Sequence, residues 1–322
     1  MWGLGFRVWD LSYAAMTTTL EEPTKRTHKV AIMNAVHDLP VLVARDEGYY
    51  KDEGLDVEFV TTPGMAQVTT SHFVKFDSVF DRPLDSVYNE GGIDQYRMCE
   101  WGIMKRAVEA NAQKLRGRKI VALGASMSKF AIVVSRDSKA YEPEMLKNQP
   151  IAVTPNNGSH FTTLKMMEGF LEPEHLKRTN AGSMLKRLEA VRDGKVAAAS
   201  LMEPWISVAQ KWGMRILIES HSTRAEAAGD DLDGETLKKM FRAQARAVEK
   251  IEKDPRPYVH YFVRETGGLL RPEEFQTWRL LHAAPQPYTQ ERWDDTYRWT
   301  VKWNMTVPNA TYENTVDNRA WS

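Results

Sequence analysis

Residues 29–61 read KVAIMNAVHDLPVLVARDEGYYKDEGLDVEFVT and contain the pattern on which the fold prediction rests. The apolar run Lys29–Asn34 is typical of a buried strand. A turn follows, in which Pro40 suits the first position of a helix, because the first amide groups of a helix have no acceptor within it. Apolar residues at helical spacing predict an amphipathic helix over residues 41–55, and Asp56–Thr61 alternates as a second strand. A strand–helix–strand unit is the signature of a parallel α/β sheet.

The same order of elements returns later in the chain. Residues 149–171 read QPIAVTPNNGSHFTTLKMMEGFL and predict strand 151–153, a loop, and a helix from His160. The other predicted elements are a helix over 93–112, strands over 119–125 and 130–137, alternating helix and strand between 184 and 220, and mostly helix after Gly234. We therefore expect an α/β protein of two lobes. Its predicted parts are an N-terminal tail (1–28), a first lobe (29–127 and 222–322) and a second lobe (128–221).

Composition excludes several classes of protein. The 322 residues exceed a typical single domain, which agrees with two lobes. Lys and Arg number 43 and balance 43 Asp and Glu, so the basic excess of nucleic-acid-binding proteins is missing and we expect no nucleic-acid partner. No apolar run approaches the ~20 residues of a membrane-spanning helix, so we expect no membrane insertion. Cys99 is the only cysteine, which excludes an intrachain disulfide and a cysteine-rich zinc site.

The first 28 residues bear on the cellular compartment. A secretory signal needs an uninterrupted apolar stretch of roughly 7–15 residues. Here Arg7, Asp10 and Ser12 interrupt the apolar residues, and the segment has no cysteine for a lipid anchor. We therefore expect a cytoplasmic protein.

Four stretches carry a resemblance to one superfamily. They are HDLPVLVARDEGYYKDEGLDVEFV (37–60), PIAVTPNNGSHFTTLKMMEGFL (150–171), LEAVRDGKVAAASLMEPWISVAQKWG (188–213) and TYENTVDNRAW (311–321). They resemble the sulfonate/nitrate/taurine solute-binding proteins and the thiamine-pyrimidine-synthase-like proteins. The resemblance implies an α/β, two-lobed periplasmic-binding-protein type II fold with an interlobe ligand cleft, in which Gly158 and Ser159 belong to the ligand-binding turn.

One segment also resembles the cofactor-free aromatic sulfinate desulfinase branch. His72-Phe73 is followed about twenty residues later by Gly91-Gly92, and in that branch a His-Phe pair and a Gly-Gly pair shape the active site. The nucleophilic cysteine of that branch lies in the loop after the first strand. Residues 35–38 occupy this loop here and read Ala-Val-His-Asp, so the nucleophile of that mechanism is missing.

Two histidines and the cysteine are the candidate catalytic residues. His37 lies beside Asp38 after the first predicted strand, where ligands bind in α/β sheets, and an imidazole next to a carboxylate suits a general base. The alternative is a structural loop in which Asp38 caps the next helix. His72 carries a proton if the desulfinase resemblance holds, and otherwise is a surface histidine. Cys99 is a nucleophile or, as most lone cysteines are, a small buried apolar residue.

Backbone amides and short polar side chains are the candidate anion ligands. Asn157, Gly158 and Ser159 precede a predicted helix whose first amides attract anions, and Ser159 serves equally well as its N-cap. His160 adjoins this turn. The pair Gly91-Gly92 permits close backbone approach or a positive φ, so its amides suit an oxyanion as well as a plain turn.

The predicted substrate-binding set also contains Asp38, Trp101, Glu203 and Trp205. Trp101 is a candidate wall of the cleft. Glu203 and Trp205 lie where the resembling family has a Glu-Pro pair at the cleft border, and the indole suits an aromatic ligand, with hinge packing as the alternative. Imidazoles from three loops suit a metal in principle, but no short-spaced ligand motif supports one. We therefore expect no metal and no cofactor.

Two functions from different classes follow, both with a small organic anion as ligand. The first is an intracellular, cofactor-free lyase or hydrolase, decarboxylase-like or desulfinase-like, for a small aromatic or heteroaromatic anion. In it the Ser159 turn holds the anion, His72 or His37 carries the proton, and the Gly91-Gly92 amides stabilise negative charge. The alternative is the substrate-binding protein of an ABC importer for sulfonate, nitrate, taurine or pyrimidine-type solutes, and only then is an ABC permease a partner. An iron-dependent pyrimidine synthase needs a cysteine-rich motif, which one cysteine cannot supply.

Overall fold

The computed structural model describes residues 26–61 and 79–322. Its strands are β1 (His28–Ile32), β2 (Val57–Thr61), β3 (Gln95–Cys99), β4 (Lys119–Val134), β5 (Ile151–Val153), β6 (Arg178–Asn180), β7 (Ala198–Met202), β8 (Arg215–Ala228) and β9 (Leu281–His282). Its α-helices are α1 (Ala35–Asp46), α2 (Tyr49–Asp52), α3 (Pro83–Asn89), α4 (Glu100–Ala112), α5 (Gly158–Met167), α6 (Met184–Arg192), α7 (Trp205–Lys211), α8 (Gly234–Lys253), α9 (Val259–Glu265), α10 (Gln290–Lys302) and α11 (Tyr312–Thr315). None of these helices is long and apolar enough to cross a membrane.

Two parallel groups of strands are joined by two long antiparallel strands. The order is β2-β1-β3-β8-β4-β7-β5-β6, with β9 on β4. In the first lobe β1 pairs in parallel with β2 and β3, and in the second lobe β5 pairs in parallel with β6 and β7. β4 and β8 run antiparallel through both lobes. The two-lobed α/β architecture is therefore confirmed, while the division of the chain at residues 128 and 221 stays a prediction.

The strand–helix–strand order at the start of the chain is confirmed, but the helix begins earlier than predicted. It also ends at Asp46, and Gly48, at a φ of 78°, separates it from the short helix α2. α1 starts at Ala35, because the side chain of Asn34 accepts a hydrogen bond from the amide of His37 and caps the helix. Pro40 therefore lies inside the helix rather than at its first position. Asp38 is not the cap, and its carboxylate has other partners, described below.

Residues 93–112 are not one helix, as predicted, but β3 followed by α4. All five residues of β3 are buried, including Gln95 and Arg97. Polar side chains in a buried strand look like one face of a helix in the sequence. They are tolerated here because both bond Glu226 of β8, with 2.9 Å from Gln95 Nε2 to Oε2 and 2.9 Å from Arg97 Nε to Oε1.

The predicted strands 119–125 and 130–137 are one continuous strand, β4. The polar residues between them stay in the strand because β8 pairs with β4 on both sides of a register shift between Leu123 and Met127. The main apolar core extends from α1 in the first lobe to α5 and α7 in the second. Both lobes are thus packed against the two long strands.

Candidate functional site

The carboxyl ends of the parallel strands of both lobes meet halfway along the two long strands. Cys99, the last residue of β3, is opposite Arg224 of β8, and Met202, the last residue of β7, is opposite Phe130 of β4. A Cβ added to Gly158 would lie 3.1 Å from Phe130 Cζ and 3.8 Å from Cys99 Cβ. These five residues define the junction, which is where an α/β sheet of this kind binds ligands.

The first lobe contributes a turn, Asn34–Asp38, that fixes the tautomer of His37. Asn34 Oδ1 accepts from the His37 amide at 3.1 Å and lies 2.6 Å from His37 Nδ1. Because this oxygen is an acceptor in both contacts, Nδ1 carries the proton and Nε2 is the free base. Burial, together with Arg224 and Arg97, lowers the pKa of His37 well below 6.5. His37 is therefore neutral at pH 7 and presents a proton-accepting nitrogen.

Asp38 holds this turn together. Its Oδ2 accepts from the amides of Met33 at 2.5 Å and Asn34 at 2.9 Å, and its Oδ1 accepts from Arg97 Nη1 at 2.6 Å. Arg97 also binds Glu226. Burial alone would lower the pKa of Arg97, but Glu226 and Asp38 outweigh it and raise that pKa. The Asp38 carboxylate, predicted to bind substrate, has its hydrogen-bonding capacity used inside the protein.

The second lobe contributes an equivalent turn before α5. Asn157 caps the helix, and its Oδ1 accepts from the amide and the hydroxyl of Ser159, at 2.9 and 2.8 Å. Ser159 Oγ in turn accepts from the Thr154 amide at 3.0 Å. The Ser159 hydroxyl therefore closes the turn, and the cap is Asn157. What this turn offers to an anion is the positive end of α5.

His160 is not protonated at neutral pH and so cannot act as an acid there. Its Nδ1 accepts from the Asn156 amide at 3.2 Å, and its Nε2 lies 2.8 Å from Arg178 Nη1. Burial and the Arg178 charge lower the pKa of His160 to about 4. The imidazole is neutral above that pH and packs on Phe161.

A buried arginine without a carboxylate lies behind the second turn. Arg187 is 2% exposed and donates to the carbonyls of Ser200 at 2.9 Å and Gly182 at 3.2 Å, and to the Thr154 hydroxyl. No carboxylate of the described residues pairs with it, and burial lowers its pKa to about 9. The second turn is therefore backed by an uncompensated positive charge.

Arg224 is a second buried arginine without a carboxylate, and it lies in the junction itself. It is 0% exposed, and its Nη1 donates to Ser222 Oγ at 3.2 Å. Its Nε and Nη2 have no acceptor among residues 26–61 and 79–322. Burial lowers its pKa to about 10, although Cys99 and Asp38 act in the opposite direction. Two buried nitrogen donors without acceptors are what a bound anion would satisfy.

Arg82 joins the two lobes. From the N-cap position of α3 in the first lobe, its Nη2 donates to the carbonyls of Pro155 at 3.0 Å and Asn156 at 3.1 Å in the second. Its Nε is buried with no acceptor in the described part of the chain. Burial and the nearby Arg106 lower its pKa to about 10. The sequence gives no signal for Arg82, Arg187 or Arg224, because an arginine with buried N–H groups looks in the sequence like any exposed one.

Cys99 is a buried thiol in cationic surroundings. Burial raises its pKa, while Arg224, the Gly102 amide, Arg106 and Arg82 act to lower it. The indole of Trp101 contacts the rings of Phe161 in the second lobe and Trp299 in α10. Its ring centre lies 6.4 Å from that of Phe161 and 5.2 Å from that of Trp299. Trp101 thus lies between the lobes, and its role as a cleft wall stays a prediction.

Several predicted site residues are not brought to the junction. The amides of Gly91 and Gly92 donate to the carbonyls of Tyr88 and Val87 and end α3, so they are not free for an oxyanion. They also precede β3, whose opposite end carries Cys99. This corrects the role predicted for the pair. His72 lies outside the described residues.

Glu203 and Trp205 follow β7 but are engaged in the core. Glu203 Oε2 accepts from Ser207 Oγ at 2.9 Å, and its Oε1 accepts from Arg279 Nη1 at 3.2 Å. Burial raises the pKa of Glu203 to about 7, against the effect of Arg279. Trp205 is 0% exposed within the main core, which favours the packing alternative for both residues. In the described ranges no group of three or more His, Cys, Asp or Glu side chains could hold a metal ion.

Comparisons with known proteins agree on the fold. A family model described as NMT1/THI5 like matches residues 35–73, which begin at the first residue of α1. A search of curated proteins finds no significant match. The chain is similar to solved structures that cover nearly all of it, all at low sequence identity, so the likeness shows the periplasmic-binding-protein fold.

Three of these structures illustrate the range of functions among the similar proteins. The alkanesulfonate-binding protein SsuA from Xanthomonas axonopodis pv. citri bound to MOPS has a TM-score of 0.70 at 15% identity, covering 92% of this chain and 99% of its own. The periplasmic nitrate-binding protein NrtA from Synechocystis PCC 6803 has 0.64 at 13%, covering 93% and 88%. The desulfurization enzyme DSZB has 0.57 at 13%, covering 92% and 98%.

Proposed function

We propose that the junction binds a small organic anion and that the protein is a solute-binding protein of an importer for sulfonate-like or nitrate-like solutes. Arg224 carries the proposal, because its buried Nε and Nη2 have no acceptor in the described part of the chain. A buried guanidinium without a partner is costly, and an anion that accepts from it removes that cost. The positive end of α5 faces the same junction across Gly158.

The similar structures support the receptor over the enzyme. Two of the three named above are proteins that bind alkanesulfonate or nitrate. A receptor of this kind delivers its solute to a membrane permease, which is then the partner of this protein. The cytoplasmic location that we expect from residues 1–28 belongs instead to the enzyme, so fractionation of cells between cytoplasm and exterior distinguishes the two functions.

Isothermal titration calorimetry with methanesulfonate, benzenesulfonate and nitrate tests the proposal. We expect at least one of them to bind, and Arg224→Gln to weaken that binding about 10- to 100-fold, the effect of losing a hydrogen bond to a charged group. Arg298→Gln is the matched control, because it removes the same charge from an exposed side chain paired with Asp295. Equal affinity of Arg224→Gln and wild type would contradict the assignment of Arg224.

A cofactor-free lyase is the second candidate, and the geometry of His37 favours it. Its Nε2 is the free base beside Arg224, and Cys99 lies opposite Arg224 in the sheet. A binding protein has no need of a positioned proton acceptor, whereas an acid–base enzyme does. Product analysis by NMR after incubation with benzenesulfinate and benzoate tests this function. Turnover that survives in Arg298→Gln and falls at least about 100-fold in His37→Gln supports it, and unchanged ligand rejects it.

A further inference from the structure

The protein brings more buried positive charge to the junction than it neutralises. Five arginines and three buried carboxylates form a group of charges that extends from the junction to the amino end of β4, where Arg118 lies. The arginines are Arg82, Arg97, Arg106, Arg118 and Arg224, and the carboxylates are Asp38, Asp85 and Glu226. Arg97 takes two of the carboxylates, and Arg106 and Arg118 share the third. Two positive charges remain within this group.

Arg187, behind the second turn, has no carboxylate partner either, but it donates to the carbonyls of Gly182 and Ser200 and to Thr154. The other two arginines without a carboxylate partner, Arg224 and Arg82, approach the junction from different sides. Arg224 is opposite Cys99 in the sheet. Arg82 holds the carbonyls of Pro155 and Asn156, in the loop whose Gly158 lies against Cys99. Each guanidinium has a buried Nε without an acceptor in the described ranges, and Arg224 adds its Nη2. Both guanidinium groups lie near enough to Cys99 to act on the pKa of its thiol, which places their unpaired N–H groups around the same point.

We infer that the ligand of this junction is a small dianion, with one negative charge toward Arg224 and the other toward Arg82. The inference rests on the proposed function. When the lobes exclude water, a monoanion leaves one guanidinium without a counter-charge in a medium of low dielectric, whereas a dianion pairs both. Carboxylate and sulfonate groups accept charge-assisted hydrogen bonds from guanidinium. Sulfocarboxylates and dicarboxylates are the chemical class that fits.

Calorimetry with matched ligands tests the inference, since each pair differs by one charge at nearly constant size. The pairs are 3-sulfobenzoate with 3-sulfobenzamide, and sulfate with methanesulfonate, all at pH 7.5 in 20 mM and 200 mM NaCl. We expect the dianion to bind at least about tenfold more tightly in each pair that binds, and the ratio to shrink at the higher salt concentration. Equal or tighter binding of the monoanion overturns the inference but leaves the proposed function standing.

Variants of Arg82 show whether this residue binds the second negative charge of the ligand. Arg82→Gln is expected to bring the dianion-to-monoanion ratio close to one while the monoanion affinity changes less than about threefold, and Arg82→Lys, which keeps the charge, is expected to retain most of the ratio. If Arg82→Gln keeps the full ratio, the role of Arg82 is wrong. If no anion binds the wild-type protein, the proposed function fails and this inference fails with it.

Discussion

Two turns of this protein are built alike and charged differently. Asn34 caps α1 after β1, and Asn157 caps α5 after β5. Each turn has a buried arginine behind it and a neutral histidine within or beside it. The first arginine, Arg97, binds two carboxylates, whereas the second, Arg187, binds only neutral groups of the described residues.

The difference separates two tasks that buried charge performs. Around the first turn, Asp38 and Glu226 supply counter-charges to Arg97, and Asp38 accepts from the amide of Asn34, whose side chain orients His37. Around the second turn, the positive charge of Arg187 has no counter-charge within the protein, so it adds to the positive end of α5. We therefore expect the first turn to matter most for stability and the second most for binding.

The largest expected effect is on stability, in Arg97→Met. This change leaves Asp38 and Glu226 buried without a cation, which costs about 3–5 kcal/mol of the free energy of unfolding. Arg187→Met removes a cation that has no carboxylate and is expected to cost no more than about 2 kcal/mol, for its lost hydrogen bonds. Urea denaturation of both variants at pH 7.5 measures the contrast. Equal losses of unfolding free energy in the two variants would show that the carboxylate partners of Arg97 make no difference to stability.

For anion affinity we expect the opposite order, with the larger loss in Arg187→Met and the smaller in Arg97→Met. Loss of the positive charge behind the second turn should weaken anion binding about tenfold, since a difference of about 1.4 kcal/mol is tenfold in affinity. Calorimetry with whichever anion binds the wild-type protein measures this effect. Arg192→Met is the control, because Arg192 is an exposed arginine at the end of α6. An unchanged affinity in Arg187→Met would remove Arg187 from the account of the site.

The histidines of the two turns are expected to make stability fall in acid. The folded-state pKa of His160 is about 4, lowered by burial and Arg178, and an unfolded histidine titrates near 6.5. Between these values the unfolded chain binds more protons, so stability is present above pH 6.5 and is lost as the pH falls below it. His160→Gln should reduce the loss of stability between pH 6.5 and 5 by about 1 kcal/mol.

Denaturation of wild type and His160→Gln at both pH values measures this effect as a difference. Glu203 and Glu265 have pKa values raised by burial to about 7 and about 8, and they act in the opposite direction. Both proteins contain them, so their effect cancels. An NMR titration in which the His160 imidazole protonates near pH 6.5 would contradict the burial on which the prediction depends.

The smallest expected effect is on stability and concerns the first helical residue after each turn. The first turn has Ala35 there, and the second has Gly158, against which Phe130 Cζ and Cys99 Cβ are packed. Gly158→Ala is expected to cost about 0.5–1 kcal/mol, as overpacking outweighs the gain in helix propensity. Gly169→Ala is the control, because no atom lies within 4 Å of a Cβ there.

A second substitution sharpens this test. Phe130→Leu removes the ring that the new methyl group meets, so Gly158→Ala should cost less in that background. Thermal denaturation of the four proteins gives the coupling. Strict additivity would show that the two residues are not in contact.

Local patterns in the sequence predicted much of the fold. The order strand, helix, strand was predicted correctly for residues 29–61. Buried strands and amphipathic helices have characteristic spacings of apolar residues, and these spacings are visible over a few neighbouring positions. The same holds for the strand, loop and helix of 149–171. The prediction was wrong for β3, where Gln95 and Arg97 imitate a helical face, because a strand can bury polar groups only if distant residues such as Glu226 accept their hydrogen bonds.

The site was predicted only in part. Positions after the strands pointed to His37, Cys99 and the turn at Asn157–Ser159, and the structure brings these to one junction. The amides of Gly91 and Gly92 and the carboxylates of Asp38 and Glu203 turn out to have partners inside the protein. Whether a polar group is free for a ligand depends on those partners, which local sequence does not show.

The sequence by itself therefore determined most of the elements and their order, because these follow from local periodicity. It also predicted a ligand site at the carboxyl ends of the parallel strands, from the geometry of such sheets. Only the tertiary structure decided which charges the site contains. Arg97 and Arg224 belong to neighbouring antiparallel strands, yet one has two carboxylates and the other has none. The charge left for a ligand is set by contacts such as Arg82 with Asn156, 74 residues apart in the chain, and by the exclusion of water around them.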